Sequence, residues 1–252
     1  MITRNPATMP TVMVEAPGAF DPGQPKHIMY GYIYNRYARQ GSIAPVGWHV
    51  PDASEIATLR SYVASLQSLA SVGRALKSAR TFGRNATAHP AWMNHGTAFG
   101  TDLYNFSAIP GGRRARTGGF VRLGTDALFG TPGETVWVLG YDGGTYFFSF
   151  LHPQDGTPVR CIRDLPAGQV GDAPADGGYC LDITDIDGNT YKTVRIGTQV
   201  WTVQNLATTR YNNGTAIPNL TGADGWANTT SGARCAYENN ENYVFTNTNW
   251  LI

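Results

Sequence analysis

The content of glycine and proline constrains this chain more than any other feature. Of the 252 residues, 30 are glycine and 15 are proline, well above the ordinary combined share of roughly 12%. This excludes a long coiled coil and indicates many tight turns. The formal net charge is only +1, which argues against nucleic-acid binding by bulk charge. No apolar run approaches the roughly 18 residues of a membrane span, while 42% hydrophobic residues suffice for a core.

Residues 1–27 are predicted to form an extended arm. Five prolines fall in this stretch, and proline fixes φ and removes a hydrogen-bond donor. Two interpretations stay open: a flexible leader, or an arm that docks on other proteins of an assembly. The first residues carry no secretory signal, so we expect a protein that stays in the compartment where it is made.

The next segment, residues 28–164, begins with helices and continues as strands and turns. Apolar residues repeat at helical spacing over 53–69, and Asp52 followed by Glu55 is a capping-box pattern. A shorter helix is predicted between Tyr30 and Ala38. Strands are then predicted at 119–123, 135–139, 145–151 and 159–163, with a hairpin turn at 142–144.

A glycine- and proline-rich linker is predicted at 165–178, followed by a second segment at 179–252. Two strands, at 183–186 and 190–196, flank the turn Asp187-Gly188-Asn189, and a third is predicted at 199–203. The alternation of Asp185, Asp187 and Asn189 indicates a hairpin turn, because the closing glutamate of a calcium loop is absent.

Several motifs occur in consistent spacing within each segment. The second segment contains Thr184-Asp-Ile-Asp-Gly-Asn-Thr-Tyr-Lys-Thr-Val-Arg-Ile-Gly-Thr-Gln-Val-Trp201, Gln204-Asn-Leu206 and Arg210-Tyr-Asn-Asn-Gly-Thr-Ala-Ile-Pro218. The first segment contains Tyr30-Gly-Tyr-Ile-Tyr-Asn35, Gly47-Trp-His-Val-Pro51, Phe106-Ser-Ala-Ile-Pro-Gly-Gly112 and Val159-Arg-Cys-Ile-Arg-Asp164. These motifs resemble the Fibrobacter succinogenes major paralogous domain family: those of the second segment are similar to its start, and those of the first segment to its end.

The order of these two halves is reversed relative to the family. The resemblance therefore implies a circular permutation, with 28–164 as the C-terminal half of the family domain and 179–252 as its N-terminal half. Residues 179–252 then complete either their own domain or that of a neighbouring subunit, and both alternatives stay open.

The resemblance also implies an α+β, C-type lectin-like fold, with two helices, twisted antiparallel sheets and long loops. The family usually has Cys-Pro before the Gly-Trp-His-Val-Pro motif, where this chain has Ala44-Pro45-Val46. The three cysteines, Cys161, Cys180 and Cys235, are compatible with one disulfide and a free thiol or with three reduced thiols. The loss of the family's cysteine favours assembly in a reducing cytoplasm.

No pattern of catalytic residues stands out in the sequence. The histidines lack metal-ligand spacing, and His49 is interpreted as a hydrogen-bonded structural residue. There is no nucleophile elbow and no glycine-rich phosphate loop ahead of a helix. We therefore expect no enzyme, no cofactor and no metal, and keep an enzyme of C-type lectin-like fold as an alternative.

Two groups of residues are candidate binding surfaces. Rigid aromatic side chains mixed with adaptable amides are typical of recognition surfaces, and this mixture occurs in Tyr211, Asn212, Asn213, Trp226, Tyr237, Asn239, Asn240, Tyr243 and Trp250. The same aromatic residues could instead form the core of a polar, loop-rich half. A basic cluster is a candidate for an anionic partner, or else a solvated face: Arg113, Arg114, Arg116 and Arg122.

These observations lead to a hypothesis of a non-enzymatic structural and binding protein. We expect a homo-oligomeric bacteriophage virion component, a fibre or decoration protein assembled in the bacterial cytoplasm. Residues 1–27 would contact other virion proteins, and the lectin-like domain would recognise a host-surface glycan or protein. The alternative is a secreted or surface-anchored bacterial adhesion module.

Overall fold

The computed structural model describes residues 27–28, 30–86, 89–143, 145–148, 151–165 and 174–246. Residues 1–26 of the predicted arm, positions 166–173 of the predicted linker and Trp250 lie outside this range. Within it, the chain has an α+β fold built from few helices and several small antiparallel sheets. The helices are α1 (Arg36–Arg39), α2 (Ala53–Leu66), α3 (Val72–Leu76) and α4 (Ala223–Asn228).

Most strands are short, as the spacing of glycine and proline predicts. They are β1 (His27–Ile28), β2 (Ile33–Tyr34), β3 (Gly111–Arg114), β4 (Phe120–Leu123), β5 (Asp126–Gly130), β6 (Val136–Gly140), β7 (Thr145–Phe148), β8 (Ile162–Asp164), β9 (Tyr179–Thr184), β10 (Thr190–Ile196), β11 (Gln199–Thr202), β12 (Arg234–Cys235) and β13 (Phe245–Thr246).

Helix α2 begins where the capping-box pattern predicts. The Asp52 side chain accepts hydrogen bonds from the backbone N–H groups of Ser54 and Glu55, and Glu55 accepts one from the Asp52 N–H. These bonds satisfy donors that have no partner inside the helix. Ile56, Leu59 and Val63 form the buried face. The helix ends at residue 66, three residues before the predicted end.

The sheets join the two segments of the chain. Strands β5, β6 and β7 form one antiparallel sheet within the first segment, and its β6–β7 hairpin confirms the predicted turn. The largest sheet has the order β8-β11-β10-β9, so that β8 of the first segment pairs with β11 of the second. Strand β2 pairs with β12, and β1 pairs with β13. In the structure of the single chain, the second segment therefore packs on the first segment. Completion of a neighbouring subunit stays a prediction.

One core contains apolar residues from both segments. Leu59 of α2 and Trp137 of β6 share this core with Trp201 of β11, and all three are buried. The ring centroids of Phe106 and Trp201 are 5.7 Å apart, in an edge-on arrangement. A second core brings Tyr34 and Val159 together with Tyr191, Leu206 and Ile217. Within the described residues, no helix has both the length and the apolar character needed to cross a membrane.

Three local predictions differ from the structure. The strand predicted at 183–186 is β9 and lies earlier, at Tyr179–Thr184, because Asp185 already begins the turn and its N–H donates to the Asn189 carbonyl. The predicted helix between Tyr30 and Ala38 is only the single turn of α1, because Ile33 and Tyr34 pair with Cys235 and Arg234 of β12 instead. The strand predicted at 159–163 begins only at Ile162. The backbone of Val159 just before it accepts a hydrogen bond from the loop residue Leu206 rather than from a neighbouring strand.

Candidate functional site

An open cavity lies where a loop of the second segment meets the end of α1. Its volume is about 550 Å³, within the range of roughly 300–1,000 Å³ that small-molecule sites occupy. The second segment provides most of its lining. The lining residues are Gly41, Ser42, Tyr211, Asn212, Asn213 and Thr215.

The sequence Tyr211-Asn-Asn-Gly-Thr215 builds a tight turn that forms one wall. The Tyr211 N–H donates to the Thr215 carbonyl at 2.9 Å, and the Gly214 N–H donates to the Tyr211 carbonyl at 2.8 Å. The Asn213 side chain accepts a hydrogen bond from the Thr215 N–H at 2.9 Å. Gly214 has a φ of 86°, a conformation that glycine adopts without strain.

The other wall is fixed to this turn by the backbone. The Asn212 N–H donates to the Ser42 carbonyl at 2.8 Å, across some 170 positions of sequence. The Tyr211 ring lies against Gly41 and Gly232, where an added Cβ would overlap the ring or its hydroxyl. Partial burial raises the pKa of Tyr211, so its phenol stays protonated at neutral pH. The ring edge and the hydroxyl are therefore held in place by close approach to the backbone at Gly41 and Gly232.

The lining contains no charged side chain. The lining residues carry an aromatic ring, the amides of Asn212 and Asn213, and the hydroxyls of Ser42 and Thr215. Amides and hydroxyls both donate and accept hydrogen bonds, and an aromatic ring packs against an apolar face. This arrangement can bind an uncharged, polyhydroxylated molecule, but it holds no acid–base pair.

The structure divides the predicted recognition surface. Tyr211, Asn212 and Asn213 lie together at the cavity. Asn239 and Asn240 are exposed at a separate 3₁₀ turn. The half-buried Tyr243 packs edge-on against Tyr30 and Tyr237. Ser42 and Thr215 were missed by sequence reasoning, and no local signal marks Ser42, because only the fold brings it to the cavity.

Trp226 and Tyr237 correct the prediction, because both are core residues. Trp226 is 0% exposed and Tyr237 is 4% exposed. Both belong to a core cluster with Ile33 and Cys235, so neither side chain is available to a ligand. Trp226 and Tyr237 therefore follow the alternative interpretation, in which the aromatic residues of this half form its core.

The structure corrects one member of the predicted basic cluster, because Arg114 is a buried residue. Arg114 is 1% exposed, and its guanidinium donates to the carbonyls of Gly118, Leu220 and Thr221. Arg113 pairs with Asp155 at 2.8 Å, and Arg122 lies 3.6 Å from Asp126. Arg116 is exposed. Burial therefore removes Arg114 from the predicted patch, whereas Arg116 and Arg122 remain at the surface.

The remaining chemical candidates have structural contacts. His49 Nε2 lies 2.5 Å from Glu55 Oε1, beside the N-terminus of α2. Asp185 Oδ1 accepts the N–H groups of Asp187 and Asn189, both at 2.9 Å, which confirms a hairpin turn. In the described part of the chain, no three His, Cys, Asp or Glu residues are grouped so as to hold a metal ion.

All three cysteines are free thiols in the interior. Cys161, Cys180 and Cys235 are buried and unpaired, which decides between the two alternatives left by the sequence. Burial raises the pKa of Cys161, and it raises the pKa of Cys235 to about 11. Such thiols stay protonated and unreactive at neutral pH.

The fold and the cavity define a small α+β protein with a solvent-open site of uncharged lining. Residues 6–163 match the model of the Fibrobacter succinogenes major domain, which is more than half of the chain. The chain therefore belongs to this family, as its motifs indicated. The match ends before residues 179–252, so their likeness to the start of the family, and the circular permutation, stay predictions. Searches of curated proteins and of solved structures found no match.

Proposed function

We propose that this protein is a non-enzymatic recognition module that binds an uncharged carbohydrate in the cavity beside Tyr211. The observation that carries the proposal is the lining itself: one fixed aromatic ring, two amides and two hydroxyls, with no charged side chain. A sugar ring offers an apolar face to the aromatic ring and hydroxyls to the amides. The volume of about 550 Å³ suits one or two sugar units.

The proposal includes a C-type lectin-like fold and a place in a bacteriophage virion, as a fibre or decoration protein. The antiparallel sheets, the long loops and helix α2 support the first part. The three free cysteines support the second, because cysteines stay reduced in the bacterial cytoplasm, where a virion protein would be assembled. Strand β1, at the end of the predicted arm, pairs with β13. Residues 1–27 would connect the module to other virion proteins from this edge.

The binding test uses an array of neutral and acidic oligosaccharides. We expect wild-type protein to bind neutral members, and Asn212→Ala to weaken that binding by at least about tenfold, since the variant loses the amide that would hydrogen-bond the sugar hydroxyls. Asn228→Ala is the matched control, because Asn228 is exposed on α4, outside the cavity lining. Binding that is equally lost or equally kept in both variants would contradict the proposed site.

The setting is tested separately, by mass spectrometry of purified virions and of bacterial surface fractions. We expect peptides of this chain in the virions. If the chain is found in the surface fraction instead, attached through a cleaved or lipid-modified precursor, then the adhesion alternative is correct and the virion proposal is wrong.

A further inference from the structure

A hairpin turn outside the cavity holds the chain that leads into it. In the turn between β9 and β10, the Asp187 side chain is only 13% exposed, and it faces residues 208–210. Its Oδ2 accepts hydrogen bonds from the Thr208 hydroxyl at 3.1 Å, from the Thr209 hydroxyl at 2.9 Å and from the Thr209 N–H. Its Oδ1 accepts one from Arg210 Nε at 2.6 Å. These four donor groups belong to residues 208–210, and the next residue is Tyr211.

Neighbouring side chains fix the start of the same stretch. The Ala207 N–H donates to the Tyr191 hydroxyl at 2.9 Å, and the Ala207 carbonyl accepts a bond from the Asn189 amide at 3.2 Å. The Thr208 carbonyl accepts a bond from the Tyr34 hydroxyl at 2.8 Å. Each residue from 207 to 210 is thus tied to the turn or to the core.

Among the described residues, the cavity loop has few other attachments. Outside its own turn, the backbone of 211–215 is tied to the rest of the protein by the Asn212–Ser42 hydrogen bond. The side-chain packing of Tyr211 against Gly41 and Gly232 adds to it. The direction in which the chain enters this loop therefore depends on residues 208–210.

We infer that Asp187 is a positioning residue for the cavity, which acts by holding residues 208–210 and thereby the loop 211–215. Charge-assisted hydrogen bonds are the strong ones, and four of them converge on this carboxylate. Although burial alone would raise the pKa of Asp187, the bonds from Thr209, Arg210 and Thr208 lower it, so the carboxylate is ionised at neutral pH. A loop ordered in advance spares a ligand the entropic cost of ordering it. Only the benefit to ligand binding rests on the proposed function; the ordering of the loop by Asp187 does not.

The test is residue-resolved hydrogen exchange on the ligand-free protein, so its outcome does not depend on the oligosaccharide array. In Asp187→Asn we expect the amides of Tyr211, Asn212 and Gly214 to exchange at least about tenfold faster, because local opening becomes easier. Val138 of β6 should be unchanged. Asp182→Asn is the matched control, because Asp182 forms a surface ion pair with Lys192 at 3.0 Å on the same hairpin.

A pair of Thr209 variants makes the test independent of the folding of Asp187→Asn. Thr209→Val removes one hydroxyl donor to Asp187 and keeps the backbone N–H, whereas Thr209→Ser keeps both. We expect faster exchange at Tyr211 and Gly214 in the valine variant and wild-type exchange in the serine variant. The inference is wrong if valine and serine behave alike, or if Val138 accelerates as much as the cavity loop in Asp187→Asn.

Discussion

At the scale of single residues, the position of Tyr211 depends on two glycines that are far apart in the sequence. Gly41 follows α1, and Gly232 precedes β12; the Tyr211 ring lies against both. A side chain at either position would overlap the ring or its hydroxyl. Glycine at these two sites is therefore required by close approach of the ring, which neither the family motifs nor the turn patterns in the sequence reveal.

We predict that Gly232→Ala displaces Tyr211 and destabilises the protein by about 1–3 kcal/mol, the usual cost of inserting a methyl group into a packed site. Urea denaturation measures the loss, and the aromatic NMR signals of Tyr211 report the displacement. Gly225→Ala is the control, because a Cβ at Gly225 meets no atom within 4 Å and alanine favours the interior of a helix. Equal stability of the two variants would show that the packing around Tyr211 is loose.

At the scale of elements, sequence patterns correctly predicted the features that depend on contacts between residues close in sequence. The capping box of α2 and the β6–β7 hairpin involve residues close in sequence, and the structure confirms both. Strand β2 was missed because its partner β12 lies some 200 positions away. The periodicity of apolar residues carries information on residues close in sequence only. The aromatic stretch around Ile33 and Tyr34 therefore predicted a helix.

We predict that Asp52→Ala lowers the free energy of unfolding by about 1 kcal/mol at pH 7, the usual value of an N-cap. The N–H of Glu55 and the hydroxyl of Ser54 hold the pKa of Asp52 below its ordinary value. Because the folded protein binds this proton less readily than the unfolded chain, the contribution is present above pH 4 and is lost as the pH falls. Urea denaturation at pH 7 and pH 3 should therefore show a smaller difference between wild type and variant at pH 3.

Ser61→Ala is the control for this prediction. Ser61 is exposed in the middle of α2, where alanine is a better helix former than serine, so this variant should lose no stability at either pH. A loss in Asp52→Ala that does not change between pH 7 and pH 3 would mean that the charge of Asp52 does not stabilise the helix.

At the scale of the whole molecule, the sequence predicted one part of the candidate site, and the other part depends on contacts between distant residues, as in the fold. Three of its six lining residues, Tyr211, Asn212 and Asn213, were predicted from the mixture of aromatic and amide side chains. Gly41 and Ser42 belong to the other segment, and only the packing of the two segments brings them there. Trp226 was wrongly predicted to bind a ligand, because it is buried against Ile33 and Cys235. Composition alone does not show which aromatic residues are buried in a core.

The packing of the two segments also bears on the reversed order of the family halves. His27 and Thr246 are opposite each other in the β1–β13 pair, and such neighbours have Cα atoms about 5 Å apart. A two-residue Asn-Gly turn is the usual connection across that distance. Joining Thr246 to His27 by this turn, and opening the chain between residues 165 and 174, restores the order of the family without breaking any of the strand pairs.

We predict that this rearranged chain, 174–246 followed by Asn-Gly and 27–165, folds cooperatively and keeps the cavity. Its control is the chain 27–246 in the present order, which keeps the connection 166–173 and has no added Asn-Gly turn. The two are compared by urea denaturation and by the NMR signals of Tyr211 and Trp201. The sheet β8-β11-β10-β9 and the shared core form from the same contacts in either order, so we expect free energies of unfolding within about 2 kcal/mol, the scale of changes in loop closure. If the control folds and the rearranged chain does not, the connection through 166–173 is itself needed for the fold, and a permutation of the family domain could not have produced this chain by relinking alone.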